Sequence, residues 1–200
     1  MQIEILQKIS DINGAEYDST EQRILDAVLH EAAAHGIHKL TIEAVAQGAN
    51  LNRATIYRRF GNMDNVMTAL AIQEGRRMIV ALTEATDGID DPASRITEGF
   101  VAAIGFARDH PLISRTAKYE PGTLIKAGLA DNAALLTLGG GFMASTIRWA
   151  QSKNQALHLN PIRAGDTVAR LFASFIFLPG GINHLKDDRS ARKYAKETFV

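Results

Sequence analysis

Between Thr41 and Phe60 the chain is punctuated so closely that two short helices joined by a turn are the arrangement that fits. Thr41 can N-cap the first of them, with Glu43 in its first turn near the positive end of the helix dipole. Position 44 is alanine, so a full capping box is absent. Ile42, Val45 and Ala46 repeat at helical period and face inward. Gly48-Ala49-Asn50-Leu51 reads as the turn. Asn52 can cap the second helix, which carries Ile56 and Phe60 inward and stops at Gly61.

Helices flank this unit. Ser19 with Gln22, or Asp18 with Glu21, has capping-box spacing, and Ile24, Ala27 and Val28 follow at helical period up to Gly36. On the other side Asn62 can cap a fourth helix, with Asp64 in its first turn and Val66, Leu70 and Met78 along it. Asp87-Gly88 and Asp90-Asp91-Pro92 form the clearest break, and Pro92 suits a first helical position. The spacing then predicts helices over 92–109, from His110-Pro111, over 133–153, from Pro161 to Pro179-Gly180-Gly181, and from about Lys186; Pro121-Gly122 reads as a turn. No strand-like alternation is visible, so the fold class is all-α.

Composition sets limits on function. Hydrophobic residues make up 46% of the 200, enough for a substantial core. Lysine plus arginine and aspartate plus glutamate each number 22, so any claim of nucleic-acid binding rests on local clustering of charge. With no cysteine, disulfides, cysteine-ligated zinc and thiol nucleophiles are excluded, which fits a cytoplasmic setting. Residues 1–17 lack a basic leader and read as a frayed extension, with Ile5, Leu6, Ile9 and Ile12 on one side. The apolar run near Leu171 to Leu178 falls far short of the ~20 residues that span a bilayer, so no membrane partner is expected.

The second short helix offers Asn52, Arg53, Thr55, Tyr57, Arg58 and Arg59 outward. An arginine fork can hydrogen-bond guanine O6 and N7, while Thr, Tyr and a helix N-terminus can hold phosphates. The alternative for this segment is a three-helix core unit whose basic face is merely solvated.

The run Thr41-Ile42-Glu43-Ala44-Val45-Ala46, followed by Asn50 to Phe60, resembles the helix-turn-helix signature of the TetR family of bacterial repressors. Its most specific part is Thr55-Ile56-Tyr57-x-x-Phe60 with an acidic and an apolar residue beyond; the resemblance covers roughly residues 19 to 70. It implies an N-terminal three-helix helix-turn-helix DNA-binding domain and a helical-bundle domain for ligand binding and dimerisation. The expected division is an extension over 1–18, the DNA-binding domain over 19–66 with its fourth helix running to about 86, and the regulatory domain over 67–200. Thr41 would contact a phosphate. Asn52, Arg53 and Thr55 would face bases or nearby phosphates. Tyr57 and Arg59 would hold the backbone, and Arg58 would do either. Three positions depart from the family pattern: Asn50 stands for the turn glycine, Arg59 for a histidine, and Met63 for a lysine that touches phosphate.

The resemblance further implies a homodimer on a pseudo-palindromic double-stranded operator, released by a small-molecule inducer, with no cofactor and no enzymatic activity. Phe100, Ile104, Leu112, Tyr119, Leu136, Phe142, Met143 and Trp149 are the candidate cavity residues, with plain core packing as the alternative for each. Arg108, Arg115, Glu120 and Arg148 are candidate polar anchors. Leu171, Phe172, Phe175 and Ile176 are candidates for the dimer interface, against the rival reading of a helix buried within one chain. His30, His35 and His38 read as surface or capping residues, not metal ligands. Gly139-Gly140-Gly141 lacks the Lys-Ser/Thr of a phosphate loop and reads as close helix packing or a helix distortion beside a ligand. A rival in another class is a small helical ligand carrier or enzyme whose helix-turn-helix is incidental.

Overall fold

Side chains that accept hydrogen bonds from the first free amides set the helix starts through the first two-thirds of the chain. The computed structural model describes residues 17–123, 134–153, 158–177 and 185–199. The expected N-terminal extension, apart from its last two residues, and the Pro179-Gly180-Gly181 stop lie outside them.

Of the two possible caps for α1 (Ser19–His35), Asp18 is the one used. Its carboxylate accepts from the Thr20 and Glu21 amides at 2.8 and 2.9 Å, and Glu21 accepts in return from the Asp18 amide. Gly36 ends the helix at φ 96°, a conformation that favours glycine. After a 3-10 turn (Ile37–Lys39), Thr41 caps α2 (Ile42–Gly48) and Asn52 caps α3 (Arg53–Phe60). Asn62 caps α4 (Met63–Ala85), Asp91 caps α5 (Pro92–Asp109) and His110 caps α6 (Pro111–Tyr119). The last two carry proline in the first turn, where its missing N–H costs nothing. The chain breaks at Glu120 (φ −138°), and Pro121 and Gly122 are helical where a turn was expected. Then come α7 (Ala134–Ser152), α8 (Pro161–Phe177) and α9 (Asp188–Phe199). No strand occurs among the described residues.

Three apolar clusters hold these helices together. In the first, Ile24, Leu25 and Val28 of α1 meet Val45 of α2, Ile56 of α3, and Val66 and Leu70 of α4. All are essentially inaccessible to water. Each such side chain contributes about 1.5–3 kcal/mol of burial free energy. In the second, Ile79 and Leu82, further along α4, pack on Ala103 of α5 and Phe142 of α7. The long helix therefore changes partners between Leu70 and Ile79. In the third, Phe100, Val101 and Ile104 of α5 pack on Ala191 and Ala195 of α9.

Helices α7 and α8 approach so closely that a Cβ at Gly165 would lie 2.9 Å from the Ala144 nitrogen and closer still to the Gly140 carbonyl oxygen. Two of the three consecutive glycines serve this contact. A Cβ at Gly140 would touch the Asp166 backbone at 3.5 Å, and one at Gly139 would touch Ala169, whereas Gly141 faces open space.

A polar seam, buried at Glu74 and His110 and open to water at Asp26, joins the two halves. Glu74 of α4 accepts from His110 Nε2 at 3.1 Å and from Arg77 Nη1 at 2.9 Å, and Arg77 also reaches Asp26 of α1 at 3.3 Å. His110 Nδ1 accepts from the Ile113 amide, which leaves the ring proton on Nε2, directed at Glu74.

Candidate nucleic-acid interface

The turn that sets α3 against α2 depends on Asn50, the one described non-glycine residue with positive φ, at 52°. Asparagine tolerates this left-handed conformation better than most residues. The Leu51 amide closes the turn on the Ala46 carbonyl at 2.8 Å, and the Arg23 guanidinium donates to the Ala49 and Asn50 carbonyls. Ile56 is then driven inward, 1% exposed, while Tyr57 on the next position stands 53% exposed. An outward tyrosine beside Arg58 gives this short helix a face suited to a phosphate backbone.

Each predicted side chain has a definite state. Thr41 Oγ1 accepts from the Ala44 amide at 3.1 Å, and its hydroxyl proton is left to donate outward. Asn52 Oδ1 accepts from the Thr55 amide at 2.8 Å and the Thr55 hydroxyl at 3.0 Å. The Asn52 amide nitrogen keeps its donors, but the Thr55 proton is committed to the cap.

The three arginines differ sharply. Arg53 Nη1 pairs with Glu43 Oε1 at 2.6 Å, across the α2–α3 junction. That hydrogen bond holds the Glu43 carboxyl below its usual range and raises the guanidinium of Arg53. Arg59 turns back to the start of α1, 2.6 Å from Asp18 and 3.7 Å from Glu21. The Glu21 amide, then the Thr20 amide and Arg59, hold the Asp18 carboxyl low. Arg58 is exposed and has no ion pair among the described residues. Sequence reasoning had all three arginines outward and missed the two carboxylate clamps. Glu43 was visible only as a first-turn acid, because the distance between α2 and α3 is a tertiary quantity.

The regulatory candidates separate in the same way. Phe100 stacks with Phe175 and Tyr194 at centroid distances of 5.9 and 5.6 Å, and Ile104 shares that cluster. Phe142 and Met143 pack with Ile79 and Leu82, and Leu136 is half-buried. Trp149 lies under the Arg95 guanidinium at 4.6 Å. Two candidates sit elsewhere than expected. Leu112 packs against the N-terminal cluster, because α6 runs beside α1. Tyr119 is 60% exposed, flanked by Lys118 and Arg115, because α6 ends there. On α8, Leu171 is exposed and Ile176 half-buried. Phe172 and Phe175 pack into the chain's own clusters, since they share the helix face turned to α5 and α9.

Among the polar anchors, Arg108 pairs with Asp109 and Asp188 at 3.0 and 3.1 Å, Arg115 covers Tyr119, and Arg148 is exposed. Glu120 lies 3.7 Å from His38. His30 is exposed and His35 lies 3.8 Å from Glu31. No group of three metal-ligating side chains occurs among the described residues. No helix described is long and apolar enough to cross a membrane.

Residues 24–70, the segment that builds this turn and its supporting cluster, match the profile described as bacterial regulatory proteins, tetR family. Over this segment the chain is similar to the TetR family. Over 98 residues it is 24% identical to the probable acrEF/envCD operon repressor of Escherichia coli K12, a match spanning 48% of this chain and 44% of that protein. The aligned stretch is thus less than half of this curated relative. Among solved structures, the TetR family repressor AlkX from Dietzia sp. strain DQ12-45-1b aligns at TM-score 0.65 and 21% identity, covering 92% of this chain and 95% of that one. The fatty acid degradation regulator FadR from Bacillus halodurans aligns at TM-score 0.67 and 16% identity, covering 90% and 96%. These two share the fold across both halves of the chain.

Within the TetR pattern the three departures each have a local account. Asn50 takes the left-handed turn position. Arg59 is bound to the acidic start of α1. Met63, where the pattern has lysine, packs against the N-terminal cluster.

Proposed function

We propose that this chain is a ligand-responsive transcriptional repressor of the TetR family that binds a pseudo-palindromic operator as a homodimer and is released by a small-molecule inducer. The observation that carries it is the geometry of α3. Ile56 is locked into the core, and Tyr57 and Arg58 stand outward beside the free donors of Asn52 and Thr41. Tyr57 and Arg58 would grip phosphates, and Arg53 and Asn52 would meet base edges. The division into a DNA-binding domain and a regulatory domain follows the change of partners along α4 between Leu70 and Ile79. Two recognition helices must fall about 34–36 Å apart to enter successive major grooves, which is why a dimer is part of the reading.

Release by an inducer needs a physical link from the regulatory helices to α3. The Glu74 seam supplies a candidate, since it ties the α5–α6 junction through α4 to α1. An inducer that favours one arrangement of this seam shifts the population only by its differential affinity for the two states.

The test is selection of duplexes from a random pool by the purified chain, with affinity measured at two salt concentrations. One short palindrome with a steep salt slope supports the reading. Arg58→Ala then weakens binding to all sequences alike and flattens the slope by about 0.9 per subunit, the value for one phosphate contact. Weak, sequence-independent binding by the wild type refutes the operator reading.

A further inference from the structure

We infer that Glu43 is a specificity-determining residue: it restrains and neutralises Arg53, so that this arginine reads a base edge and not a phosphate. The inference rests on the proposed DNA-binding function and adds to it a carboxylate that touches no DNA.

The argument starts from charge. A free guanidinium on a DNA-facing helix is drawn first to the nearest phosphate, because that attraction is long-ranged and indifferent to sequence. Arg58 has this character, exposed and without an ion pair among the described residues. Arg53 differs, since one of its terminal nitrogens lies 2.6 Å from Glu43 Oε1. The pair carries no net charge, so its pull on phosphate is largely cancelled. Its donors are not cancelled. A guanidinium has five N–H groups, and one bond to Glu43 leaves enough for the two-pronged contact with guanine O6 and N7, which are neutral acceptors.

Position reinforces this. Both side chains are well exposed, 62% for Glu43 and 65% for Arg53, so in free solution water screens the pair and it adds little to stability. A duplex seated on α3 would displace that water and strengthen the pair at the moment of recognition. The two groups come from different helices, so once the seated duplex has strengthened the pair it also holds Arg53 relative to α2 and limits the rotamers from which it could reach a phosphate.

Full-length wild type, Glu43→Gln, Glu43→Asp, Arg53→Ala and the Glu43→Gln/Arg53→Ala double variant would be put through the same random-pool selection and salt titration. Glu43→Gln is expected to lose base preference at one pair of symmetry-related positions and keep it elsewhere. Its affinity for non-operator duplex should rise several-fold, with a salt slope steeper by about 0.9 per subunit as Arg53 takes up a phosphate. Arg53→Ala should lose the same base preference with no such gain, and the double variant should match Arg53→Ala. Glu43→Asp, which retains the charge, should restore part of the preference. A uniform gain in affinity with the base pattern unchanged overturns the inference, since Glu43 would then only screen phosphate. Unchanged pattern and slope also overturn it. In both cases a wild-type operator would still stand. Failure of the wild type to select any sequence would instead sink the DNA-binding reading itself.

Discussion

Replacing glycine by alanine at two places in the α7–α8 hairpin should change stability in opposite directions. Inside a helix the substitution removes backbone freedom from the unfolded chain and, with no steric cost, stabilises by about 1 kcal/mol. Gly141 meets that condition, because a Cβ there has no neighbour within 4 Å. Gly165 does not. Its new Cβ would sit 3.2 Å from the Ala144 Cβ, 2.9 Å from the Ala144 nitrogen, and nearest of all to the Gly140 carbonyl oxygen. Two of these three atoms are backbone, so no rotamer change relieves the clash and the helices themselves must separate. Overpacking of this kind costs roughly 1–3 kcal/mol, and the upper end applies where backbone must move. Against a gain of about 1 kcal/mol from propensity, the net for Gly165→Ala is a loss of about 1–2 kcal/mol. In a chain of this size 1 kcal/mol moves Tm by roughly 2–4 °C. Gly141→Ala should therefore melt about 2–4 °C above the wild type, and Gly165→Ala roughly 2–8 °C below it. Calorimetry on the three proteins at equal concentration decides the matter, with circular dichroism confirming equal helix content. If Gly165→Ala melted above the wild type, α7 and α8 would not pack through Gly140 and Gly165, and the close-contact argument would be wrong.

The capping aspartates give the protein an acid limit. Asp18 is held low chiefly by the Glu21 amide, Asp91 by the Ser94 hydroxyl and Asp187 by the Ser190 amide. A carboxyl whose folded value is depressed contributes stability that is complete above its ordinary value of about 3.9 and is lost as pH falls through the folded value. The urea midpoint should hold steady from neutral pH to about pH 5 and drop below about pH 4, and Asp91→Asn should shrink that drop. An acid sensitivity identical in Asp91→Asn and wild type would refute the assignment to that cap. In the first cluster, Ile56→Ala should cost about 2–5 kcal/mol in urea unfolding and abolish DNA binding with it. Tyr57→Ala, one position on and outward, should leave the midpoint within about 0.5 kcal/mol while weakening DNA binding. Equal destabilisation by the two variants would show that α3 does not present the face described.

Much of the fold could be read in the residues because its signals are local. Thr41, Asn52, Asn62, Pro92, His110-Pro111 and Pro161 mark helix starts by backbone chemistry within a few residues, and the structure uses every one of them. Where two local signals competed, at Asp18 and Ser19, both were plausible and only the folded geometry chose. The outward face of α3 was legible for the same reason: Ile56 inward and Tyr57 outward follow from helical period once α3 is placed.

What the sequence could not determine is who meets whom. Phe172 and Phe175 are dimer candidates through the family resemblance; within the chain Phe172 packs against the cluster of α5 and α9, Phe175 meets Phe100 and Tyr194, and nothing in the local pattern of α8 names these partners. Leu112 resembled any other apolar residue of the regulatory half until α6 was laid against α1. Glu43, ten residues before Arg53, meets it only because Asn50 takes a left-handed conformation that folds α3 back onto α2. Local propensity, capping and period are set by neighbours in sequence and fixed the helices and the outward face of α3. Pairing across elements is set by turn geometry and by the packing of distant surfaces, and that alone decided which arginines are clamped by carboxylates.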